Sequence, residues 1–89
     1  MITKKVIFKS NVGMHLRPAA EITKLAGKFS SEVFLSLDQD NRISAKSIIG
    51  ILAMTIQPDA EITIEAEGFD EADAVDALVD LIGNQMLDL

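Results

Sequence analysis

The opening segment ITKKVIFK sets Ile2, Val6 and Phe8 against Thr3, Lys5, Ile7 and Lys9, an alternation that predicts a strand with one buried face. From Pro18 to Phe29 the period changes, and Ala19, Ile22, Ala26 and Phe29 recur at the spacing of an amphipathic helix. SEVFLSL returns to alternation, with Val33, Leu35 and Leu37 on one face. DQDN, Asp38 to Asn41, predicts a turn and RISA a short third strand, so the two strands form a hairpin. KSIIGILAMTI predicts a short helix opening at Ser47, whose hydroxyl suits an N-cap. AEITIEAE predicts a fourth strand with Ile62, Ile64 and Ala66 inward and Glu61, Thr63, Glu65 and Glu67 outward. The last helix is expected from Asp70 to about Ile82. Asp70 is its candidate cap, Glu71 and Asp73 complement the dipole, Val75, Leu78, Val79 and Ile82 form the buried stripe, and Gly83 is the expected stop.

The predicted order is βαββαβα. Three helices cannot cover both faces of a sheet of four half-apolar strands, so they are expected on one face with the other left wet. The predicted class is therefore α+β: an open-faced β-sandwich with a four-stranded, mainly antiparallel sheet. Lys5 and Lys9 point outward from the first strand and Glu61, Glu65 and Glu67 from the fourth. Opposite charges across a pair favour adjacency by a few tenths of a kcal/mol to about 1 kcal/mol, so these strands are expected to be antiparallel neighbours.

Length changes this picture only by bounding it: 89 residues fit a single domain over 1–89 with one modest core. The run IIGILAM falls far short of the roughly 20 apolar residues that span a bilayer, and the N-terminus has no signal-peptide core. With no cysteine there is no disulfide, and the expected location is the cytoplasm without membrane insertion. Charge adds an asymmetry. Residues 1–58 carry all eight Lys and Arg against four acids, a balance of +4, and residues 59–89 carry ten acids and no base, a balance of −10. In its plainest reading this only separates a solvated acidic C-terminal face from a mixed one. Nucleic acid is not an expected partner, because no basic stripe is interleaved with aromatics and there is no Tyr or Trp.

The candidate chemistry lies in NVGMHLRPAAEITKLAGKF, which holds the only histidine. A helix start offers unpaired N–H groups and the positive end of the dipole, and so receives phosphate. A neutral imidazole placed there is a competent nucleophile toward phosphorus, whereas imidazolium is not. Arg17 can hold phosphoryl oxygens, Pro18 fixes a helical φ while giving up an N–H, and Gly13 lets the loop turn. His15 is thus a candidate phosphoryl acceptor, beside the plainer reading of a solvated loop histidine. No second histidine or cysteine completes a transition-metal site, so no metal or other cofactor is expected. There is no G-x-S-x-G elbow and no Walker A loop.

GMHLRPAA, Gly13 to Ala20, resembles the phosphohistidine motif of the HPr family, the histidine-containing phosphocarriers of the bacterial sugar phosphotransferase system. KSIIGILAM, Lys46 to Met54, is similar to that family's second signature, around a regulatory serine. Length, element order and the separation of the motifs agree, so the resemblance covers essentially the whole chain. It implies that His15 accepts a phosphoryl group on Nδ1 from enzyme I, itself charged by phosphoenolpyruvate, and passes it to IIA proteins. It further implies that Arg17 stabilises the phosphoryl group and that Ser47 is phosphorylated by HPr kinase/phosphorylase where that enzyme exists, with a transcriptional regulator as a further partner. The chain would be a monomeric carrier without turnover of its own. One departure stands out: the family usually has a small residue after the histidine, where this chain has Leu16.

The second helix is apolar nearly all round, so some of Ile48, Ile49 and Leu52 must face water near the first helix. Arg17, Ala20, Lys24 and Lys28 recur at i+3, i+7 and i+11 along that helix. An apolar patch with a basic rim suits an acidic partner, and Leu16, Ala20, Lys24, Lys28, Ile48, Ile49 and Leu52 are the expected contacts. The alternative leaves the lysines as a solvated face and the isoleucines as core. Two other functions remain open: a carrier in a nitrogen-type regulatory branch, and a regulatory binding module controlled by Ser47 alone. The family includes members lacking the histidine, and the presence of His15 weighs against the module.

Overall fold

Three antiparallel pairings arrange four strands in the order β1-β4-β2-β3, with β1 spanning Ile2–Ile7, β2 Glu32–Ser36, β3 Ile43–Ser44 and β4 Glu61–Glu67. This computed structural model describes residues 1–38, 41–87 and 89. The predicted turn over Asp38 to Asn41 falls partly outside them. Helices α1 (Leu16–Ala26), α2 (Ile48–Ala53) and α3 (Glu71–Asn84) complete the βαββαβα order.

Alternation explains the sheet. Val33, Leu35, Ile62, Ile64 and Ala66 are buried and meet Phe8, Ile22, Ala26, Ile51, Val75, Leu78 and Ile82 in one core. The outer face carries the ion pairs Lys5–Glu61 at 3.8 Å and Arg42–Glu65 at 3.1 Å, and the Arg42 guanidinium lies 4.0 Å from the Phe34 ring centroid. The adjacency of β1 and β4 follows the expectation, with Lys5 registered opposite Thr63 and Ile7 opposite Glu61.

Several boundaries differ for identifiable reasons. α1 starts at Leu16, placing Pro18 third in the helix, and ends at Ala26, after which the Lys28 and Phe29 N–H groups close single turns onto Leu25 and Ala26. Leu37, expected inward, lies one residue past β2 and is 42% exposed. Gly83 does not stop α3, which runs on to Asn84. A Cβ at Gly83 would come within 2.9 Å of Val6 Cγ2, so the glycine lets the helix lie close on β1.

Asp70 occupies the N-cap position of α3 without capping it. Its carboxylate instead accepts from the Ser30 and Ser31 N–H groups at 2.8 and 2.9 Å, and from the Ser31 hydroxyl. The Ser31 hydroxyl, followed by the Ser30 N–H, holds the Asp70 carboxyl below the ordinary aspartate value. Because the folded value is the depressed one, this stabilisation is present above the unfolded value of about 3.9 and is lost as pH falls through the folded value. Melting curves recorded from neutral to acidic pH should therefore show Asp70→Asn below wild type at neutral pH, with the gap closing under acid. A gap that stays constant through the acid range would contradict this linkage.

Thr55 follows α2 at φ 54°, a left-handed conformation that is costly for a β-branched residue. Its side chain is exposed, so glycine there relieves strain without emptying a packed site. Thr55→Gly is expected to raise unfolding free energy by about 1 kcal/mol in urea titration. An unchanged or lower midpoint would show that the position is not strained.

Candidate functional site

The loop between β1 and α1 is held from within and from outside. Ser10 is buried, and its Oγ accepts from the Val12 and Gly13 N–H groups at 3.2 and 3.1 Å. Gly13 has φ +84°, and a Cβ there would come within 3.3 Å of the Ile56 carbonyl oxygen and Pro58 Cδ. Left-handed backbone and close approach thus both require glycine. The next N–H, of Met14, donates to the Ile56 carbonyl at 2.9 Å. The segment that follows α2 therefore buttresses the loop that precedes α1.

This loop delivers His15 as the N-cap of α1, in extended backbone at φ −138° and ψ −169°. The side chain makes no capping bond and is exposed. Its own carbonyl receives the first helical bond, from the Ala19 N–H at 3.1 Å. Pro18 has no N–H, so the Leu16 and Arg17 N–H groups are left at the helix mouth without an intrahelical acceptor. Arg17 is exposed on the second helical residue. An anion on the imidazole would lie at the positive end of the helix beside two backbone donors, two residues in sequence from the Arg17 guanidinium. Among the described residues, no group of three or more His, Asp or Glu side chains could hold a metal ion. Nor, among them, is any helix long and apolar enough to cross a membrane.

Ser47 caps α2, its Oγ accepting from the Gly50 N–H at 3.1 Å. Ile49 is 81% exposed, Ile48 and Leu52 are half-buried, and Ile51 carries the burial of this short helix. α1 packs against α2 on one side and α3 on the other. Leu16, 63% exposed, opens an i, i+4 ridge through Ala20 and Lys24, and Lys28 follows just past the end of α1. Such a ridge drifts by about 40° around the helix at each step. Its far end consequently reaches α3, where Lys24 and Lys28 line an open groove with Glu21, Asp80 and Gln85. Leu16 and Ala20 do not line that groove, whereas the two lysines share it with carboxylates.

Pattern reading passed over Ser10, Val12 and the Ile56 carbonyl, which shape the loop. The S-x-x-G spacing of Ser10 and Gly13 was the available signal for the first. An apolar residue between Asn11 and Gly13 in a turn was the signal for Val12, which is 68% exposed. Lys46 was also missed: its ammonium donates to the Phe29 carbonyl at 2.9 Å, tying the end of the first helical segment to the approach to Ser47.

Comparison with known proteins bears on this geometry. The family model described as the PTS HPr component phosphorylation site matches residues 2–84. The HPr-like protein Crh of Halalkalibacterium halodurans is 38% identical over 82 residues, covering 92% of this chain and 96% of that protein. The phosphocarrier protein HPr of Cupriavidus necator is 35% identical over 85 residues, covering 96% and 94%. The crystal structure of HPr-C-His from Thermoanaerobacter tengcongensis superposes with a TM-score of 0.85 at 38% identity, covering 92% of this chain and 91% of that one.

Proposed function

The chain belongs to the HPr family of phosphotransferase-system phosphocarriers, and from that membership we propose that His15 carries a phosphoryl group between phospho-enzyme I and IIA proteins. The observation that carries this reading is an exposed imidazole at the N-cap of α1, unused in capping and followed by two N–H groups that have no intrahelical acceptor. The Nδ1 lone pair attacks phosphorus in line. As the new P–N bond forms, the donor's P–N bond breaks and its electron pair stays with the departing imidazole. Arg17 and the Leu16 and Arg17 N–H groups stabilise charge on the equatorial oxygens throughout. Transfer onward reverses the geometry with an acceptor histidine. Little covalent help is needed from the protein, because positioning and charge stabilisation carry phosphoryl transfer.

Ser47 supplies the regulatory half of the proposal, as the site of an ATP-dependent kinase. A purely regulatory role is the second reading, supported by the 38% identity to the HPr-like protein Crh. His15 in its exposed setting favours the carrier. The test is incubation with phosphoenolpyruvate and enzyme I, followed by mild acid and then by addition of a IIA protein. Acid-labile phosphate that moves on to IIA supports the carrier. A protein that stays unlabelled by this route yet is phosphorylated at Ser47 by the kinase supports the regulatory module.

A further inference from the structure

Met86, Leu87 and Leu89 lie beyond the segment that matches the family model, and Leu87 is hydrogen-bonded to the loop that leads into His15. Met86 is fully buried in the core, and Leu89 packs against that core with its N–H directed at the Met86 carbonyl. Between them the Leu87 carbonyl accepts from Asn11 Nδ2 at 3.2 Å, across 76 residues of sequence. One turn earlier, the Ile82 carbonyl receives the Lys9 N–H at 3.4 Å. The loop is therefore bracketed by residues following α3 at Asn11 and by residues following α2 at Gly13 and Met14.

This bracketing ties two exposed apolar residues to one loop residue, Val12 as the sequence neighbour of Asn11 and Leu87 through its hydrogen bond to the Asn11 side chain. Val12 is pinned through its N–H to Ser10, and Leu87, 51% exposed, is pinned through its carbonyl to Asn11. Neither belongs to the buried core, and both are attached to the loop that leads into His15. Lys9 and Arg17, both exposed, bound the loop on either side in sequence.

We propose that Val12 and Leu87 form a second apolar foothold for the protein that donates the phosphoryl group to His15, received by an apolar recess rimmed with carboxylates. This rests on the carrier reading and adds to it a contact made partly by residues outside the family-matching segment. Val12 belongs to the loop that delivers His15 and Leu87 is hydrogen-bonded to that loop, which is what brings both toward a donor seated for in-line transfer. Lys9 and Arg17 select a partner that is acidic around an apolar centre.

The experiment measures donor-dependent phosphorylation against carrier concentration for wild type, Val12→Asp, Leu87→Asp and Leu87→Ser, with melting temperature alongside. Both aspartate variants are expected to raise the half-saturating concentration at least fivefold, while the rate at saturation and the melting temperature stay near wild type. Leu87→Ser, which adds no charge, is expected to show a smaller rise in the same direction. Wild-type concentration dependence in folded variants overturns the foothold while leaving the carrier reading standing. Absence of phosphorylation in the wild type overturns the carrier reading and this inference with it.

Discussion

His15→Ala is expected to fold as wild type and to take up no acid-labile phosphate from phospho-enzyme I. The total loss follows from composition as well as geometry: the chain has no other histidine, so no second imidazole can substitute. Stability should change by no more than about 0.5 kcal/mol, because the ring is exposed and makes no capping bond, and the carbonyl that receives the Ala19 N–H is retained. Melting temperature and radiolabel retention after mild acid measure the two halves separately. Phosphoserine survives that treatment, so a label at Ser47 would not be mistaken for one on histidine. Acid-labile phosphate on a folded His15→Ala protein would place the acceptor elsewhere and remove the helix-mouth mechanism. A variant that unfolds would instead give the imidazole a structural role that its exposure does not explain.

The element order was readable because each element reports its own burial. Alternation in AEITIEAE and the helical spacing from Ala19 to Phe29 are local consequences of having one face in the core. Caps and stops were less readable, since tertiary contacts compete for the same residues. Asp70 has the right chemistry and position for a cap, but two backbone donors and a hydroxyl from the α1–β2 connection claim its carboxylate. Gly83 has the composition of a stop, but Val6 on the neighbouring strand explains the missing side chain better than helix termination does. Charge pairing gave the right neighbours for β1 through Lys5, yet the same rule disfavours the β2–β4 register, where Glu32 stands opposite Glu67. At a few tenths of a kcal/mol a surface pair informs topology and does not decide it.

The loop and helix start around His15 were legible for a related reason. Gly13, His15, Arg17 and Pro18 lie within six residues, so sequence spacing nearly determines their spatial relation. Contacts that depend on folding were not legible: Met14 to Ile56, Lys46 to Phe29 and Asn11 to Leu87 join residues far apart in sequence. The basic rim is the intermediate case. Arg17, Ala20, Lys24 and Lys28 recur at i+3, i+7 and i+11, but such a row winds around the helix, α1 ends at Ala26, and Lys24 and Lys28 arrive beside α3.

Ser47→Asp and Ser47→Ala should separate the serine's structural role from its regulatory one. In the folded protein the hydroxyl accepts from the Gly50 N–H, which alanine cannot replace, so Ser47→Ala is expected to cost about 1 kcal/mol of stability. Its surface stays neutral, and affinity for enzyme I should remain near wild type. Aspartate is a good N-cap, so Ser47→Asp should melt close to wild type. Yet it places a carboxylate beside half-buried Ile48 and the 81% exposed Ile49. A partner covering that patch with apolar and acidic groups must then desolvate a charge and meet like-charge repulsion, and its affinity should fall at least tenfold, or about 1.4 kcal/mol. Phosphoserine, with about −1.5 to −2 charges, should act in the same direction and more strongly, while remaining compatible with the helix start. Titrating enzyme I against the three proteins while recording melting temperatures tests both roles. Unchanged affinity in a folded Ser47→Asp protein would mean that α2 lies outside the docking surface, and Ser47 could not then act by gating access to His15.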